Sequence, residues 1–455
     1  MSAQASVSYS LWTSLRFWFV LGWTSFGGPA AQIAMMQAEL VDKRRWISPH
    51  RFVHALNYCM VLPGPEAQQL ATYMGWLLHG PWGGLVSGTL FILPSLGIMT
   101  GFGYLYVTYG EMPEVQALLY GLKPAVLAIV VAATLRLGQR VLNGPLWWAI
   151  AGGALILLLL NASFVVVITL AALVGWMAYL FSKNPLRGLP AFSPLPLARD
   201  PSVAEQLDHG YLIDDHSPPP RHARADSRHL LSTLGLGIAL WALLYGVVDS
   251  LFGGVLASLS LFFTKVALIT FGGAYAVLPY VFDVAVAEKG WVTTPQMMDA
   301  LALGETTPGP LVMVNAFIGY LTAAQHTDLT QYSIPVAGAL GAVVVTLFTF
   351  LPSFVFILAG APWVEASRRI PAVIAPLTAI SAAVVAIIAD LGLTFAAHIL
   401  WPTYELGLSW RTLDIVALLI SVLAIVLMLV FRMGMLKTMM ASVAMGLVAS
   451  VLGLP

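Results

Sequence analysis

Two short signatures in this sequence, each present twice, combine residue types that interrupt an α-helix. They are Ser25-Phe26-Gly27-Gly28 and Pro63-Gly64-Pro65, with second copies at Thr270-Phe271-Gly272-Gly273 and Pro308-Gly309-Pro310. A glycine pair loosens the backbone and a proline lacks the N–H that a helix interior needs, so the chain is predicted to break at all four places. A helix that restarts after such a break presents free N–H groups and a partial positive charge, which suits a small oxyanion.

The four breaks lie inside or beside apolar stretches, where an unpaired backbone amide is costly unless it faces protein or a water-filled cavity. Pro65 and Pro310 suit the first turn of a restarting helix, because that turn does not use their missing N–H. The alternative interpretation is that the signatures are tight turns and close-packing points between helices. Their recurrence in both copies favours an anion site at which four helix ends converge.

Ionisable residues in apolar surroundings are the next candidates, since a charge at the bilayer centre costs about 2.5–3.5 kcal/mol on insertion scales. Lys123 lies in the apolar run 117–135 and is predicted to offset the charge of a bound anion. Glu66, Glu305 and Lys265 flank the breaks and are candidates for carrying a coupling proton or for pairing between carboxylate and lysine. The alternative for each is a helix-end residue whose charged group reaches the interface.

Several polar side chains leave the breaks along the chain and are candidate hydrogen-bond donors to an anion. They are Gln68, Gln69, Thr72 and Asn315. Packing between helices is the alternative role for each of them. Arg16, which precedes the first Phe-Gly-Gly, is interpreted as a residue that reaches the interface.

Transmembrane helices are the elements expected to position these residues. Of the 455 residues, 59% are hydrophobic and only 9% are charged, whereas an average soluble domain carries about 25% charged residues. Stretches such as 82–107, 333–358 and 413–430 each supply the roughly 20 apolar residues that cross a bilayer as a helix. We therefore expect an all-α polytopic membrane protein. Zero net charge argues against a nucleic-acid partner, and with Cys59 as the single cysteine we expect no cysteine-bound metal and no cofactor.

The chain contains an internal repeat that carries both signatures. Phe17, Trp46 and the signatures match positions 245 residues further on, and after a small insertion the match resumes 258 residues further on. There Leu93-Pro94-Ser95 corresponds to Leu351-Pro352-Ser353. Glycine, proline and tryptophan stay in register over about 120 residues, which indicates two copies of one unit.

The charges of equivalent loops predict that the two copies have opposite orientations. Lys43-Arg44-Arg45 corresponds to Glu288-Lys289-Gly290, and Gly110-Glu111 corresponds to Arg368-Arg369. Under the positive-inside rule these loops face opposite sides of the membrane. The sequence therefore predicts an inverted-topology repeat with broken or re-entrant helices. Its parts are a transmembrane repeat over 1–182, a flexible cytoplasmic linker over 183–228, rich in proline and charge, and a second repeat over 229–455 that starts with one extra helix.

The two signatures with their flanking residues resemble the chromate ion transporter family, in its long two-domain form. The resemblance rests on residues 25–31 and 62–69, and on the second copies Thr-Phe-Gly-Gly-Ala-Tyr and Thr-Pro-Gly-Pro. It implies a multi-pass protein of the inner membrane that exports chromate, with sulfate as a similar competitor, and that gives resistance to chromate. The second copy departs from the first at Ala274, which replaces Pro29, and at Leu311, which replaces Glu66.

Other classes of function remain as alternatives at this stage. The chain has no His-Glu-x-x-His and no Gly-x-Gly-Asp, so we expect no enzyme activity. It has no Gly-x-x-x-x-Gly-Lys-Ser/Thr, so we expect a secondary transporter driven by the membrane potential or a proton gradient. A transporter of sulfate or another oxyanion, an uptake system, an anion channel and a homodimeric assembly all stay open.

Overall fold

The computed structural model describes residues 11–181, 211–214, 222, 226–271, 273–326, 329, 331–366, 371–401 and 412–453. Three features of the sequence lie outside the described residues, namely Gly272, the pair Arg368-Arg369 and most of the predicted linker. All other candidate site residues are described.

Within residues 11–181 the structure describes seven α-helices of the first half, and a short π-helical turn, Ala38–Lys43, extends the second of them. The helices are α1 (Leu11–Thr24), α2 (Gly28–Gln37), α3 (Pro49–Cys59), α4 (Glu66–Tyr109), α5 (Pro113–Val141), α6 (Pro145–Leu159) and α7 (Phe164–Phe181).

The second half repeats this order after one additional helix, α8, and again has a π-helical turn, Asp283–Glu288. Its helices are α8 (Ser227–Leu251), α9 (Gly254–Ile269), α10 (Ala274–Phe282), α11 (Thr294–Thr306), α12 (Val314–Gln325), α13 (Ile334–Ala366), α14 (Pro371–Leu400), α15 (Ile415–Leu429) and α16 (Met435–Val451). The element order therefore follows the repeat read from the sequence, while the opposite orientation of the copies stays a prediction.

Six of the described helices are long and apolar enough to cross a membrane. They are α4, α5, α7 and α8, together with 334–362 of α13 and 375–400 of α14. Because all six belong to one chain of helices, the expected class of all-α polytopic membrane protein is confirmed.

Equivalent residues begin the short helices α3 and α11. The Ser48 side chain accepts a hydrogen bond from the N–H of Arg51, and Thr293 with Gln296 forms a reciprocal capping box. These caps satisfy N–H groups that a helix start leaves free. Each short helix therefore starts at a defined residue and ends shortly before a Pro-Gly-Pro break.

The breaks turn the chain back on itself. The Phe17 and Trp46 rings meet edge to face at 5.4 Å across the first hairpin, and Phe262 and Trp291 do the same at 5.4 Å across its counterpart. These matched aromatic contacts hold the start and end of each hairpin together. Each half therefore contains a helical hairpin whose tip is the Ser/Thr-Phe-Gly-Gly break.

A second hairpin follows each Pro-Gly-Pro break. In the first half α4 is kinked at His79 and Gly80, where φ of Gly80 is 72°. The part of α4 before the kink packs along the part after it, and the Ser87 hydroxyl donates a 2.8 Å hydrogen bond to the Ala71 carbonyl. In the second half α12 packs closely on α13, where a side chain on Gly319 would meet the Gly341 carbonyl at 2.7 Å.

The two halves are interlocked along their length. Helices α6 and α7 of the first half pack on α14, and α15 and α16 of the second half pack on α5. Gly121 and Gly446 bring the backbones of α5 and α16 into contact, since a side chain on Gly121 would lie 2.7 Å from the Ser442 carbonyl. Close approach through small residues is the usual basis of helix association in membranes. The sites at the breaks therefore lie within one shared core.

Described parts of the predicted linker contact the first half. Ile213 pairs with Ile47 in an isolated bridge, and the N–H of Ile213 donates to the Trp46 carbonyl at 3.0 Å. His222 stands edge-on to Trp76, with ring centroids 5.0 Å apart. These contacts put Ile213 and His222 at the same end of the first half as the loop of Lys43 to Arg45.

Candidate functional site

The four breaks meet in two crossed pairs, each made of one break from either half. The N–H of Gly64 donates a 2.8 Å hydrogen bond to the carbonyl of Thr270, and the N–H of Gly309 donates a 2.9 Å bond to the carbonyl of Ser25. Each Pro-Gly-Pro therefore binds the Ser/Thr-Phe-Gly-Gly of the opposite half. We call the first the 64/270 pair and the second the 309/25 pair.

Glycine is required at these positions by conformation and by space. Gly27, Gly64, Gly273 and Gly309 have φ values of 97°, 129°, 95° and 98°, a region that other residues rarely adopt. A Cβ on Gly64 would overlap the Ser353 hydroxyl, and one on Gly309 would stand 2.7 Å from Cβ of Ser95. The crossed pairs therefore admit no side chain at either Pro-Gly-Pro.

Ser95 and Ser353 are site residues that the sequence interpretation missed. Each is fully buried beside the glycine of the opposite half, and neither hydroxyl has a hydrogen-bond partner among the described residues. The hydroxyl of Ser25 at the 309/25 pair shares this property. The available signal was the match of Leu-Pro-Ser at 93–95 and 351–353, since a polar residue kept in both copies of an apolar helix is costly without a partner.

Three glutamine side chains bond to groups at or beside the breaks. Nε2 of Gln32 donates to the carbonyls of Gly309 at 2.5 Å and of Ser25 at 3.3 Å. Nε2 of Gln69 donates to the Pro63 carbonyl at 2.7 Å, and Gln68 donates to the Thr72 hydroxyl at 2.9 Å. Gln32 was not among the sequence candidates. The Gln32 and Gln69 amides therefore satisfy carbonyls that the broken helices leave free.

Asn315, on α12 just after the second Pro-Gly-Pro, is 1% exposed. Neither atom of its amide has a hydrogen-bond partner within the described ranges. Together with Ser25, Ser95 and Ser353 it gives four side chains at the breaks with unused donors. An unpaired buried polar group costs about 1–3 kcal/mol, so this set is expected to be satisfied by a ligand or by water.

The two crossed pairs lie close together because α4 and α13 pack side by side. A side chain on Gly84 would meet Leu358 and one on Gly88 would meet Phe354, so the two helices run antiparallel. This register sets position 89 of α4 at the same height along the helix pair as Ser353. Six residues, or about 9 Å of helix, separate that position from Ser95.

The two glutamates that flank the breaks both lie at the segment 273–275. Glu305 is 4% exposed and accepts a 2.5 Å hydrogen bond from the hydroxyl of Tyr275. Oε1 of Glu66 lies 3.9 Å from where a Cβ on Gly273 would stand, and Arg140 interacts with Glu66 electrostatically. Carboxylates from both halves therefore approach the break of the second half.

Lys123 and Lys265 do not lie at the breaks. Nζ of Lys123 forms an ion pair with Oδ1 of Asp299 at 3.4 Å, and Asp299 precedes Thr307 by eight residues of α11, about 12 Å of helix. Lys265 is exposed, with its ammonium 5.3 Å from the centre of the Tyr280 ring. Asp299 was not among the sequence candidates, although a carboxylate in an apolar helix that ends at a break was a usable signal.

A basic cleft of about 600 Å³ opens between α1 and the turn after α2, and Arg16 lines it. Lys43 and Arg44 share the same cleft and bind Glu39, at 2.5 Å and 3.3 Å. The hydrogen bond from Lys43 holds the pKa of Glu39 below its ordinary value. The cleft therefore carries net positive charge at the end of the first half where the linker contacts lie. In the part of the chain that the structure describes, no three metal-ligating side chains come together.

A chain of transmembrane helices with paired breaks and unsatisfied polar groups in its core is the architecture of a membrane transporter. The family described as chromate transporter matches residues 12–176 and 257–449, two segments that begin 245 positions apart. The chain belongs to the chromate transporter family.

Individual relatives are similar over most of the chain. A chromate transport protein of Pseudomonas aeruginosa is 31% identical over 85% of this chain and 82% of its own length. A chromate transport protein of Cupriavidus metallidurans is 29% identical over 84% and 82%. A probable chromate transport protein of Synechococcus elongatus is 28% identical over 89% and 91%. No solved structure matches the chain.

Proposed function

We propose that this protein is a secondary transporter, and not an enzyme, that exports chromate across the inner membrane and so gives resistance to chromate. The substrate is supported by the family and by relatives named as chromate transport proteins. The site is supported by one observation above all, the four buried side chains at or just after the breaks whose hydrogen-bonding groups have no partner within the described residues.

The crossed pairs suit a tetrahedral dianion because they offer donors without formal charge. The hydroxyls of Ser25, Ser95 and Ser353 and the amide of Asn315 can donate hydrogen bonds to its oxygens. The helices that restart at Gly28, Glu66 and Ala274 add the partial positive charge of their first turns. Neutral donors bind an anion without the strong attraction of paired cations, so the anion can also leave.

The direction of export follows from the electrical potential. For a dianion that leaves a cell with a negative interior, the potential contributes about 4.6 kcal/mol per 100 mV, twice the value for one charge. The linker is proposed to be cytoplasmic, because it contacts the end of the first half that carries Lys43 and Arg45. Arg136 and Arg140 belong to the same side under this topology and would attract the anion.

Coupling to protons is assigned to the carboxylates at the second break. Glu66 and Glu305 approach segment 273–275 from different halves, so a proton on either alters the charge that the anion meets. Lys265 stands outside this arrangement, on the outer face of α9. We propose that Glu66 and Glu305 share the coupling role and that Lys265 has none.

Chromate flux into everted membrane vesicles tests the proposal. Everted vesicles that carry this protein should accumulate chromate when their lumen is made positive, and the rate should saturate with concentration. Sulfate should compete, since it is a dianion of the same shape. Flux that rises linearly without saturation would identify a channel, and accumulation by right-side-out vesicles instead would identify an uptake system.

A further inference from the structure

An ion pair with one buried partner joins the two halves at a distance from the breaks. Asp299, on α11 of the second half, is 2% exposed. Its Oδ1 lies 3.4 Å from Nζ of Lys123 on α5, and its Oδ2 accepts a 2.9 Å hydrogen bond from the Tyr106 hydroxyl on α4. The pair therefore connects two helices of the first half with one of the second half.

The two charges of this pair differ in access and in restraint. Asp299 is enclosed and is held by Tyr106, whereas the Lys123 side chain is 24% exposed. The 3.4 Å separation is longer than the 2.7–2.9 Å of a well-formed charged hydrogen bond, and Oδ1 of Asp299 has no hydrogen-bond partner among the described residues. Lys123 therefore contacts Asp299 without a well-formed hydrogen bond, and its ammonium is the more accessible of the two charges.

The groups that face this pair add little positive charge. Tyr106 is the polar neighbour of Asp299 from α4, and Glu111, in the loop after α4, interacts electrostatically with Tyr106. Among the described residues, Lys123 is therefore the cation available to an anion that moves between the crossed pairs and this end of α11. In a low-dielectric interior a dianion competes effectively with one carboxylate for one ammonium.

We propose that Lys123 is shared between Asp299 and the transported oxyanion. In the empty protein Asp299 holds Lys123 and thereby holds α5 against α11. An arriving oxyanion takes Lys123 from Asp299, which loosens the contact between the halves, and departure of the anion restores it. Asp299 is then a positioning residue that acts through Lys123, and this inference rests on the proposed transport function.

Chromate transport by Asp299→Asn tests the inference directly. Removal of the competing carboxylate should lower KM for chromate roughly tenfold, the minimum coupling of a close charge pair, and should lower kcat because the halves no longer re-engage. Lys123→Met should raise KM by a similar factor. Asp299→Glu should restore kcat and KM towards wild-type values.

The double variant Lys123→Met/Asp299→Asn separates competition from a structural role. If Asp299 acts through Lys123, the double variant should have the KM of Lys123→Met alone. A structural ion pair predicts instead that both single variants raise KM together and that the double variant recovers stability. That result, or an unchanged KM in Asp299→Asn, would overturn the inference.

Tyr106→Phe provides a variant that keeps both charges, should Asp299→Asn not fold. Without the phenol, Asp299 is free to bind Lys123 more tightly, so KM should rise about threefold. A change in melting temperature with no change in KM would contradict the inference. Absence of saturable chromate flux in the wild-type protein would refute the proposed function itself. Failure of the inference alone would instead show as normal flux in the wild type with unchanged KM in the variants.

Discussion

The two halves of this protein share a backbone plan and differ in the charges attached to it. Both halves have a break of each kind, and in both halves the break glycines have positive φ and each Pro-Gly-Pro donates a backbone hydrogen bond to the opposite half. Glu66 after the first Pro-Gly-Pro is replaced by Leu311 after the second, and Glu305 before the second Pro-Gly-Pro is replaced by Met60 before the first. The two halves therefore share the backbone structure at the breaks, whereas the ionisable side chains beside the breaks differ between them.

The ion pair between Lys123 and Asp299 likewise has no counterpart at the equivalent positions of the other half. Lys123 corresponds to Ser381, and Asp299 corresponds to His54. Under the proposed function, an anion that crosses the core would therefore meet different charges on the two sides of the crossed pairs. We propose that this difference in charge makes the two ends of the anion path inequivalent, although the backbone is the same in both halves.

The largest expected effect on chromate flux comes from substituting the Pro-Gly-Pro glycines, whose conformation both halves share. Gly64→Ala and Gly309→Ala place a Cβ where φ is strongly positive and where Ser353 or Ser95 already stands. Strain of about 1–3 kcal/mol from the backbone, with the overlap added, should reduce chromate flux roughly 100-fold in either half.

Gly97→Ala is the matched control, because Gly97 lies on α4 with nothing within 4 Å of an added Cβ. It should transport as the wild type does. Strong loss in Gly64→Ala with normal flux in Gly309→Ala would show that the halves are not equivalent even in their backbone. Gly27→Val applies the same test to the other kind of break, and well-folded Gly27→Val protein with unchanged affinity would remove that break from the site.

The serines test whether the two crossed pairs bind the anion equally. A hydrogen bond to a charged group contributes about 1.5–3 kcal/mol, so Ser95→Ala and Ser353→Ala should each raise KM for chromate roughly 10–150-fold. Ser260→Ala is the control, because that buried hydroxyl already donates to the Leu256 carbonyl. An effect of one serine alone would assign the anion to one pair.

Substitutions at Glu66 and at its counterpart Leu311 test whether the carboxylate found only after the first Pro-Gly-Pro affects transport. Glu66→Gln removes a group that can carry a proton, so the pH dependence of chromate flux should change in slope or position. Leu311→Met conserves volume and polarity and should keep flux within about twofold. A pH profile identical to wild type in Glu66→Gln would leave the coupling role to Glu305. Glu305→Gln then tests that role, and Tyr275→Phe tests the hydrogen bond that Tyr275 donates to Glu305.

The smallest effect on transport is expected from single cysteines that report topology. Arg44→Cys, Glu205→Cys and Lys289→Cys in a Cys59→Ser background should keep flux near wild type, since Arg44 and Lys289 are loop residues. An impermeant thiol reagent added to intact cells should label position 289 and leave 44 and 205 unlabelled. Labelling of 44 and 289 from the same side would contradict the inverted repeat.

The positions of the helix breaks and of the membrane-spanning helices were predictable from the sequence, because they depend on the properties of residues near one another in the chain. Glycine tolerates positive φ, proline lacks an N–H, and runs of about 20 apolar residues suit a bilayer. The breaks at Gly27, Gly64 and Gly309 and the membrane-spanning class followed from these properties. The repeat followed from spacing, and the family from the residues around the breaks.

The partners of these residues depended on contacts between distant parts of the chain. The crossed pairing joins Gly64 to Thr270, and the ion pair joins Lys123 to Asp299. Local properties do not select such partners, because which helix faces which is set by the packing of the whole core. The sequence by itself determined where the helices break and that the protein spans the membrane. Only the tertiary structure decided that each break binds the opposite half, that Ser95 and Ser353 stand at the crossed pairs, and that Lys123 is held by a carboxylate away from them.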